Sequence, residues 1–276
     1  MECKLANSTI YYEVFGEGRP VLALHGWPVD HRTQMTALEP IFRQRPGWQR
    51  FYPDWPGMGR TPGADWITSQ DQMLEVMLDF IDHVIPGQSF ALAGGSYGGY
   101  MARGVVYRRA ARVDGLMLCA PRVHPTQRRL PPPLRRMAAT ELIASLNPED
   151  AAVYQRYIYA AVAPNRQLID FFRDAIQPAI DSADQQFLTQ VEQNDQFSFP
   201  VDTLPEPFRK PALIITGRQD ITAGYLDAWG LVENFPLATF AVLDCGGHCL
   251  EMERQTLYHA LVNDWLDRIE TATPPG

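Results

Sequence analysis

Cysteine is scarce in this chain. Its 276 residues include four cysteines, and no two of them form a Cys-x-x-Cys pair. Cys3, Cys119, Cys245 and Cys249 therefore imply no compact disulfide framework. No stretch approaches the roughly 18 consecutive apolar residues of a membrane span, and the first six residues lack the apolar run of a signal peptide. We expect free thiols in a reducing cytoplasm and no membrane partner.

An excess of positive charge is also missing. The net charge is -8, and acidic and basic residues alternate along most of the chain. Because nucleic-acid binding usually leaves a basic footprint, we expect no nucleic-acid partner. Apolar residues make up 46% of the chain and charged residues 20%, which are ordinary values for a globular protein with a normal core.

Short apolar runs alternate with helical patterns over much of the chain. Val21 to Leu24, Phe90 to Ala93 and Gly115 to Ala120 are continuous apolar runs of the kind found in buried parallel strands. From Ser69 the apolar residues follow a helical period, which predicts a helix that Pro86 and Gly87 end. This alternation indicates an α/β protein with a mostly parallel sheet that helices cover on both faces.

The alternation stops between Pro121 and about Pro205. This segment has helix-like patterns punctuated by proline and no convincing buried strand. Asn147-Pro148 predicts a helix start, and two further helices are expected at 166–176 and 184–193. Since 85 residues are too many for an ordinary loop, we interpret 121–205 as a helical cap inserted after the sixth strand. The core is then formed by 1–120 and 206–276.

Ser96 lies in a motif that activates serine. The sequence Gly94-Gly95-Ser96-Tyr97-Gly98 matches G-x-S-x-G, and it stands between a predicted strand and a predicted helix. This setting predicts a nucleophile elbow, in which small flanking residues let the strand and helix approach each other. The helix N-terminus favours a developing negative charge near the hydroxyl.

A serine hydroxyl needs a base to become a useful nucleophile. Among six histidines, His248 follows the last predicted strand in a glycine loop, and it comes last in the order Ser, Asp, His. His25 is expected to brace its own turn instead. Asp220 follows the buried strand that ends at Thr216, and we predict that it orients the base. A helix N-cap is the structural alternative for Asp220.

Two backbone amides are candidates for an oxyanion hole, namely those of Tyr97, directly after the nucleophile, and of Trp27 in the loop after an early strand. Pro28 has no N–H group, which favours Trp27 as the second donor. Aromatic residues of the cap are candidates for the substrate pocket, together with the side chains of the two donors. The predicted pocket residues are Trp27, Tyr97, Tyr154, Tyr157 and Phe171.

These motifs together resemble the α/β-hydrolase superfamily. The resemblance extends over essentially the whole core, and it rests on five segments in the family order. These segments are His25 to Pro28, Asp54 to Arg60, Gly94 to Gly99, Gly217 to Asp220, and Gly247-His248 with Glu253. It implies an α/β-hydrolase fold with a mostly parallel, eight-stranded type of sheet. It is similar above all to lidded single-domain bacterial hydrolases, which include carboxylesterases and meta-cleavage C–C bond hydrolases.

The resemblance implies a serine hydrolase that forms an acyl-enzyme on a small to medium, apolar or aromatic ester. No metal or organic cofactor is expected, and the protein should be a monomer or homodimer that acts on a small molecule. Epoxide hydrolases and haloalkane dehalogenases are disfavoured because their nucleophile is aspartate. C–C bond cleavage of a diketone remains open and would need a cationic group, for which Arg122, Arg166 and Arg173 are candidates. A hydrolase-fold small-molecule receptor also remains open.

Overall fold

The computed structural model describes residues 1–132 and 138–272. The predicted cap includes 133–137 and the predicted core includes 273–276, and both of these ranges lie outside the described residues. No helix in the described part of the chain is long and apolar enough to cross a membrane.

Eight strands form one sheet in the order β1-β2-β4-β3-β5-β6-β7-β8. Their bounds are β1 Glu2–Lys4, β2 Thr9–Phe15, β3 Arg19–Leu24, β4 Trp48–Pro53, β5 Phe90–Gly95, β6 Val113–Cys119, β7 Ala212–Gly217 and β8 Ala238–Leu243. Strand β1 is antiparallel to β2, and β2 is antiparallel to β4. The remaining six strands of the sheet, β4, β3, β5, β6, β7 and β8, are parallel to one another. The predicted α/β fold with a mostly parallel sheet is confirmed.

Strand β3 shows why the parallel strands are apolar throughout. Leu22 and Leu24 belong to the hydrophobic cluster on one face of the sheet, and Val21 and Ala23 belong to the cluster on the other face. All four side chains are fully buried. Successive side chains of a strand point to opposite faces, so a sheet covered on both sides needs apolar residues at every position.

Eleven α-helices are found among the described residues: α1 His31–Phe42, α2 Gln70–Val84, α3 Tyr97–Arg109, α4 Thr140–Ala144, α5 Pro148–Tyr157, α6 Arg166–Phe171, α7 Gln177–Ser182, α8 Gln185–Glu192, α9 Leu226–Trp229, α10 Leu250–Glu253 and α11 Gln255–Ala272. Apolar residues of α2 and α3 belong to the cluster that contains Leu22 and Leu24, which we call the first hydrophobic cluster. Those of α1 and α11 belong to the cluster that contains Val21 and Ala23, which we call the second hydrophobic cluster. Helices therefore cover both faces of the sheet, as the sequence predicts.

Helices α4 to α8 all lie between β6 and β7, which is where the sequence predicts an insertion. The Asn147 side chain accepts a hydrogen bond from the Asp150 N–H at 2.8 Å, so this residue is the N-cap of α5, as the sequence predicts. Residues of α5 and α6 pack in the second hydrophobic cluster, and residues of α8 pack in the first. The inserted segment therefore contributes to the core on both sides of the sheet.

Two predicted helix lengths are wrong. The helix expected at 166–176 continues through a π-helical stretch, Phe172–Ile176, into α7. Pro178 lacks the N–H group that a regular helix would direct at the carbonyl of Asp174, and the wider turn stands directly before it. The apolar pattern also predicts one helix near 225–234, where the structure has α9 and then a 3₁₀-helical turn, Val232–Asn234. The predicted helix is therefore interrupted after Trp229, although Gly230 and Leu231 keep right-handed helical dihedrals.

Candidate active site

Ser96 lies at a sharp turn between β5 and α3. Its backbone has φ 51° and ψ −114°, a strained conformation for a residue with a side chain. A Cβ atom on Gly98 would overlap the carbonyl oxygen of Leu24, and one on Gly94 would overlap the carbonyl oxygen of Gly98. The glycines therefore permit the close approach of strand and helix that raises the serine above the sheet edge.

Three side chains from different strand ends meet in one hydrogen-bonded line. The Ser96 Oγ lies 3.1 Å from Nε2 of His248. The Nδ1 of His248 lies 2.9 Å from Oδ2 of Asp220. Because a carboxylate accepts a hydrogen bond, Nδ1 carries the proton and Nε2 is left to accept the proton of the serine. This geometry is that of a nucleophile, a base and the group that orients the base.

Asp220 is fully buried, and both of its carboxylate oxygens are hydrogen bonded. Oδ2 contacts His248, whereas Oδ1 accepts the N–H groups of Thr222 at 2.8 Å and Ala223 at 3.0 Å. Burial alone would raise the pKa of Asp220, but the charge of His248 and these hydrogen bonds lower it below its usual value. The carboxylate closes a turn and contacts the histidine, but no helix begins at this position.

His248 is held by the chain on both sides of it. Its N–H donates to the carbonyl of Ala160 at 2.9 Å, and the preceding N–H of Gly247 donates to Glu253 at 2.6 Å. Burial alone would lower the pKa of His248, but the charge of Asp220 and its hydrogen bond raise it above its usual value. The imidazolium that forms when the serine loses its proton is therefore stabilised.

The backbone amides of Trp27 and Tyr97, the predicted oxyanion donors, have no acceptor in the structure among the described residues. Tyr97 is the first residue of α3, so its N–H has no acceptor within the helix. The Trp27 amide also lacks a partner among the described residues. A Cβ on Gly26 would lie 3.4 Å from the Cβ of Ser96, which places the Trp27 loop directly beside the nucleophile.

Two cavities meet at Ser96 and Trp27. The inner cavity has a volume of about 100 Å³ and is also lined by His248 and Phe171. The outer cavity has a volume of about 370 Å³ and is also lined by Tyr97. An ester bound with its carbonyl at Ser96 therefore has a separate space for each of its two arms.

Two of the predicted pocket residues lie elsewhere. Tyr154 and Tyr157 are buried in the second hydrophobic cluster and line neither of these cavities in the described part of the chain. The hydroxyl of Tyr157 donates to Gln177 at 2.8 Å, inside the inserted segment. The side chain of Tyr97 also points largely into the core, where its hydroxyl donates to Gln70 at 2.7 Å. Helical spacing alone does not distinguish aromatic residues that face a pocket from those that face the core.

Of the three candidate arginines, only Arg122 lines one of these cavities, the outer one. Its guanidinium pairs with Asp195 at 2.7 Å. Arg166 and Arg173 both pair with Asp150, on the surface of the inserted segment. Arg128, which the sequence analysis did not single out, also lines the outer cavity with Ser96. Its guanidinium donates to the carbonyls of His124, Pro125 and Thr222 and has no ion-pair partner among the described residues.

The histidine of the early turn has a structural environment. His25 is fully buried, its Nδ1 lies 2.8 Å from the carbonyl oxygen of Gly26, and its Nε2 accepts the N–H of Trp55 at 3.1 Å. Burial lowers the pKa of His25 and favours the neutral ring that these two bonds require. The ring thus contacts its own turn, which the sequence analysis expects it to brace, and it also joins that turn to the Trp55 loop.

Asp30, His31 and Asp54 form a buried group with the side chains of a possible metal site. Asp54 accepts hydrogen bonds from the N–H groups of His31 and Arg60 and contacts Nδ1 of His31 at 2.8 Å. Asp30 forms an ion pair with Arg32. These oxygens already have donors within the protein, and we assign the group a role in stabilising the two loops.

The sequence favours Cys249, next to the predicted base, as a pocket-wall thiol, but it does not identify the other polar residues that line the inner cavity. Glu251 and Tyr258 border it together with two thiols, those of Cys119 and Cys249. Glu251 stands three residues after His248, within one turn of helix, and this short spacing is the only sequence signal that could have identified it.

The whole of this architecture matches one known family. The model of a family described as "Alpha/beta hydrolase family" matches residues 21–260. The chain belongs to the alpha/beta hydrolase family. The predictions of family and fold, and of a hydrolase enzyme, are therefore confirmed.

Sequence relatives cover only part of this alpha/beta hydrolase. It is 31% identical over 108 residues to a pimeloyl-[acyl-carrier protein] methyl ester esterase of Legionella pneumophila strain Corby, which is 39% of this chain and 40% of the relative. The chain is also 30% identical over 115 residues to the AB hydrolase superfamily protein YisY of Bacillus subtilis strain 168, which is 40% of each chain. The matched region spans about two fifths of the length of these curated relatives.

A solved structure covers almost the whole chain. An alpha/beta superfamily hydrolase from Oenococcus oeni PSU-1 has a TM-score of 0.88 and 24% identity, over 98% of this chain and 99% of that one. At this identity the similarity establishes the fold, while the substrate of this hydrolase has to be inferred from its site.

Proposed function

We propose that this protein is a serine esterase that cleaves carboxylic esters through an acyl-enzyme on Ser96. The observation that carries the proposal is the line of hydrogen bonds from Ser96 through His248 to Asp220, at 3.1 and 2.9 Å. The partial similarity to a methyl ester esterase supports an ester as the substrate. The reaction needs no metal or organic cofactor, because the base and the oxyanion donors are protein groups.

The mechanism follows from the position of each proton. His248 accepts the proton of Ser96 as its oxygen attacks the ester carbonyl, and the amides of Trp27 and Tyr97 donate to the oxyanion. The C–O bond to the alcohol then breaks, and His248 gives its proton to the departing oxygen. Water enters, loses a proton to His248, and attacks the acyl carbon. The acid leaves when His248 returns its proton to Ser96.

The inserted segment forms part of the wall of the inner cavity. Phe171 and Ile176 come from this segment and line the cavity. An engineered cavity of roughly 150 Å³ accepts a benzene ring, and the inner cavity, at about 100 Å³, is smaller. We therefore propose that 121–205 is a helical cap over the site. We also propose that the substrate is a small ester rather than one of medium size.

The test is hydrolysis of p-nitrophenyl acetate, butyrate and octanoate by the wild type and by Ser96→Ala. We expect turnover that favours the two shorter esters and falls roughly 10⁴- to 10⁶-fold in the variant, since the nucleophile is lost. Ser182→Ala, within the inserted segment, is the matched control and should keep wild-type turnover.

Turnover that persists in Ser96→Ala would contradict the proposed nucleophile. If the wild type cleaves none of the three esters, the esterase proposal is wrong. Meta-cleavage diketones would then test C–C bond cleavage, and a ligand-binding screen would test a receptor.

A further inference from the structure

Glu251 is a carboxylate inside the proposed substrate cavity. It belongs to α10, which follows the His248 loop, and it lines the inner cavity on which Ser96 and His248 also border. The proposed mechanism gives this residue no task, because Asp220 already orients the base. A half-buried carboxylate in a space of about 100 Å³ influences which chemical groups of a substrate can bind there.

The neighbouring carboxylates accept hydrogen bonds from several groups of other residues, whereas Glu251 does not. Asp220 contacts two backbone N–H groups and His248. Glu253 accepts the N–H groups of Val162, Ala163 and Gly247. The Glu251 carboxylate accepts a hydrogen bond from its own backbone N–H, and its only other donor among the described residues is the weakly donating Cys119 thiol, at 3.9 Å. It forms no ion pair with any described residue. A carboxylate withdrawn from water with too few donors costs free energy, and a ligand that supplies one recovers it.

The rest of the cavity offers Glu251 no cation. Apart from His248, no basic side chain of the described residues lines it. Burial raises the pKa of Glu251 to about 7. The hydrogen bond from its own backbone N–H and the charge of His248 oppose this shift, and the charges of Glu253 and Asp220 add to it. The hydroxyl of Tyr258, which also lines the cavity, has no hydrogen-bond partner among the described residues.

We propose that Glu251 makes this enzyme selective for esters whose inner arm carries a hydrogen-bond donor, either a hydroxyl or an ammonium group. The inference rests on the proposed esterase function and narrows its substrate class. A carboxylate accepts a hydrogen bond from either group and forms a charge-assisted bond with ammonium. A substrate arm that ends in a carboxylate is disfavoured, since Glu251 lines this space and the negative charges of Glu253 and Asp220 act on the same site.

The size of the cavities decides which arm of a test ester reaches Glu251. A p-nitrophenyl group has more atoms than benzene, and benzene already needs a cavity of roughly 150 Å³. In a p-nitrophenyl ester the aromatic arm therefore occupies the outer cavity of about 370 Å³, and the acyl arm occupies the inner one. Esters with different acyl groups and the same leaving group thus report on Glu251.

The experiment compares two pairs of p-nitrophenyl esters that are matched in shape. The first pair is 3-hydroxybutyrate against 3-methylbutyrate, and the second is β-alaninate against butyrate. Each pair exchanges a methyl group for a donor. We expect the wild type to favour the donor in at least one pair by about tenfold to a hundredfold in kcat/KM, the size of effect of a hydrogen bond to a charged group.

Variants of Glu251 show whether this residue causes the preference. In Glu251→Leu the donor-to-methyl ratio should fall to about one or below in every pair that the wild type discriminates. In Glu251→Gln, which keeps an acceptor oxygen without the charge, an ammonium preference should fall and a hydroxyl preference should persist. Glu206→Gln, an exposed control, should keep wild-type ratios. Each ratio is measured within one protein, so a loss of folded enzyme cancels.

Two results would overturn the proposal while leaving the esterase function intact. One is a wild type that cleaves these esters without preferring the donor in either pair. The other is a preference that survives unchanged in Glu251→Leu. Failure of the esterase function itself looks different, because the wild type would then cleave no ester at all.

Discussion

Asp220 illustrates how much a single side chain contributes to this site. One of its oxygens closes a turn through two backbone N–H groups, and the other contacts His248. The helix N-cap that was the alternative interpretation of this residue is not found, because no helix begins here, and one oxygen closes a turn instead. The negative charge matters for one task only, because an amide oxygen could also accept the backbone bonds.

This division predicts the effect of Asp220→Asn. The variant keeps an acceptor for the turn but loses the charge that raises the pKa of His248. The base works only in its neutral form, so kcat/KM rises with pH through this pKa. In the variant the pKa is lower, and the rise should move to lower pH. The plateau should fall roughly 10⁴-fold, since the ring is no longer held in the correct tautomer.

The check is a pH profile of kcat/KM for p-nitrophenyl acetate. Asp244→Asn is the matched control, because Asp244 is exposed and lies four residues before His248. An unchanged profile in Asp220→Asn, or the same shift in Asp244→Asn, would contradict the role proposed for Asp220.

At the scale of an element, the turn between β5 and α3 depends on backbone contacts. The atoms that an added Cβ on Gly98 would meet are the carbonyl oxygens of Leu24 and His25. These groups belong to β3 and the adjoining turn and cannot rotate away as a side chain could. The nucleophile is thus presented by the packing of a helix directly on the strand beside it.

Gly98→Ala should therefore destabilise the fold, by about 1–3 kcal/mol or more, as overpacking in a core does. Gly87→Ala is the control, because Gly87 has φ 67° but open space around its Cα. Gly87→Ala should lower the free energy of unfolding by only about 1 kcal/mol, which is the cost of placing a side chain in the left-handed backbone region. Urea unfolding of both variants measures this difference, and equal losses would contradict the steric argument.

The sequence predicts the positions of helices and strands best where the apolar pattern is long and where capping or helix-ending residues mark its limits. Helix α2 carries five fully or almost fully buried residues on the predicted face, and α5 begins at the predicted Asn147. Strand β1, of three residues, was missed because it carries no apolar pattern. The division of the helix predicted near 225–234 into α9 and a 3₁₀ turn was missed, because the spacing of apolar residues does not distinguish these two kinds of helix.

At the scale of the whole molecule, the inserted segment is part of the packing of the core. Phe187 of α8 contacts the turn at Gly57 and Gly63, and the N–H of Asp184 donates to the carbonyl of Gly57 at 2.9 Å. Glu253 accepts N–H groups from the inserted segment and from the His248 loop. Removing the segment would thus expose apolar surface and free the loop that carries the base.

We therefore expect the inserted segment and the core to unfold together. All six tryptophans lie in the predicted core, so their fluorescence reports on the core alone: Trp27, Trp48, Trp55, Trp66, Trp229 and Trp265. Far-UV circular dichroism reports on helices, and five of the eleven described helices lie in the segment. The two urea transitions should coincide. Loss of helix at a lower urea concentration than loss of tryptophan signal would show that the segment unfolds separately.

The sequence by itself determined the fold class, the family and the three residues proposed for catalysis. Each of these follows from a local pattern, namely an apolar run, a glycine turn or a residue just after a strand, and the chain order of such patterns is preserved in the fold. Only the tertiary structure decided which side chains line the cavity. Phe171 reaches it and Tyr157 does not, although both stand on helices with a buried face. The reason is that the direction of a helix face is set by packing against distant residues, and the sequence pattern does not record which neighbour lies opposite.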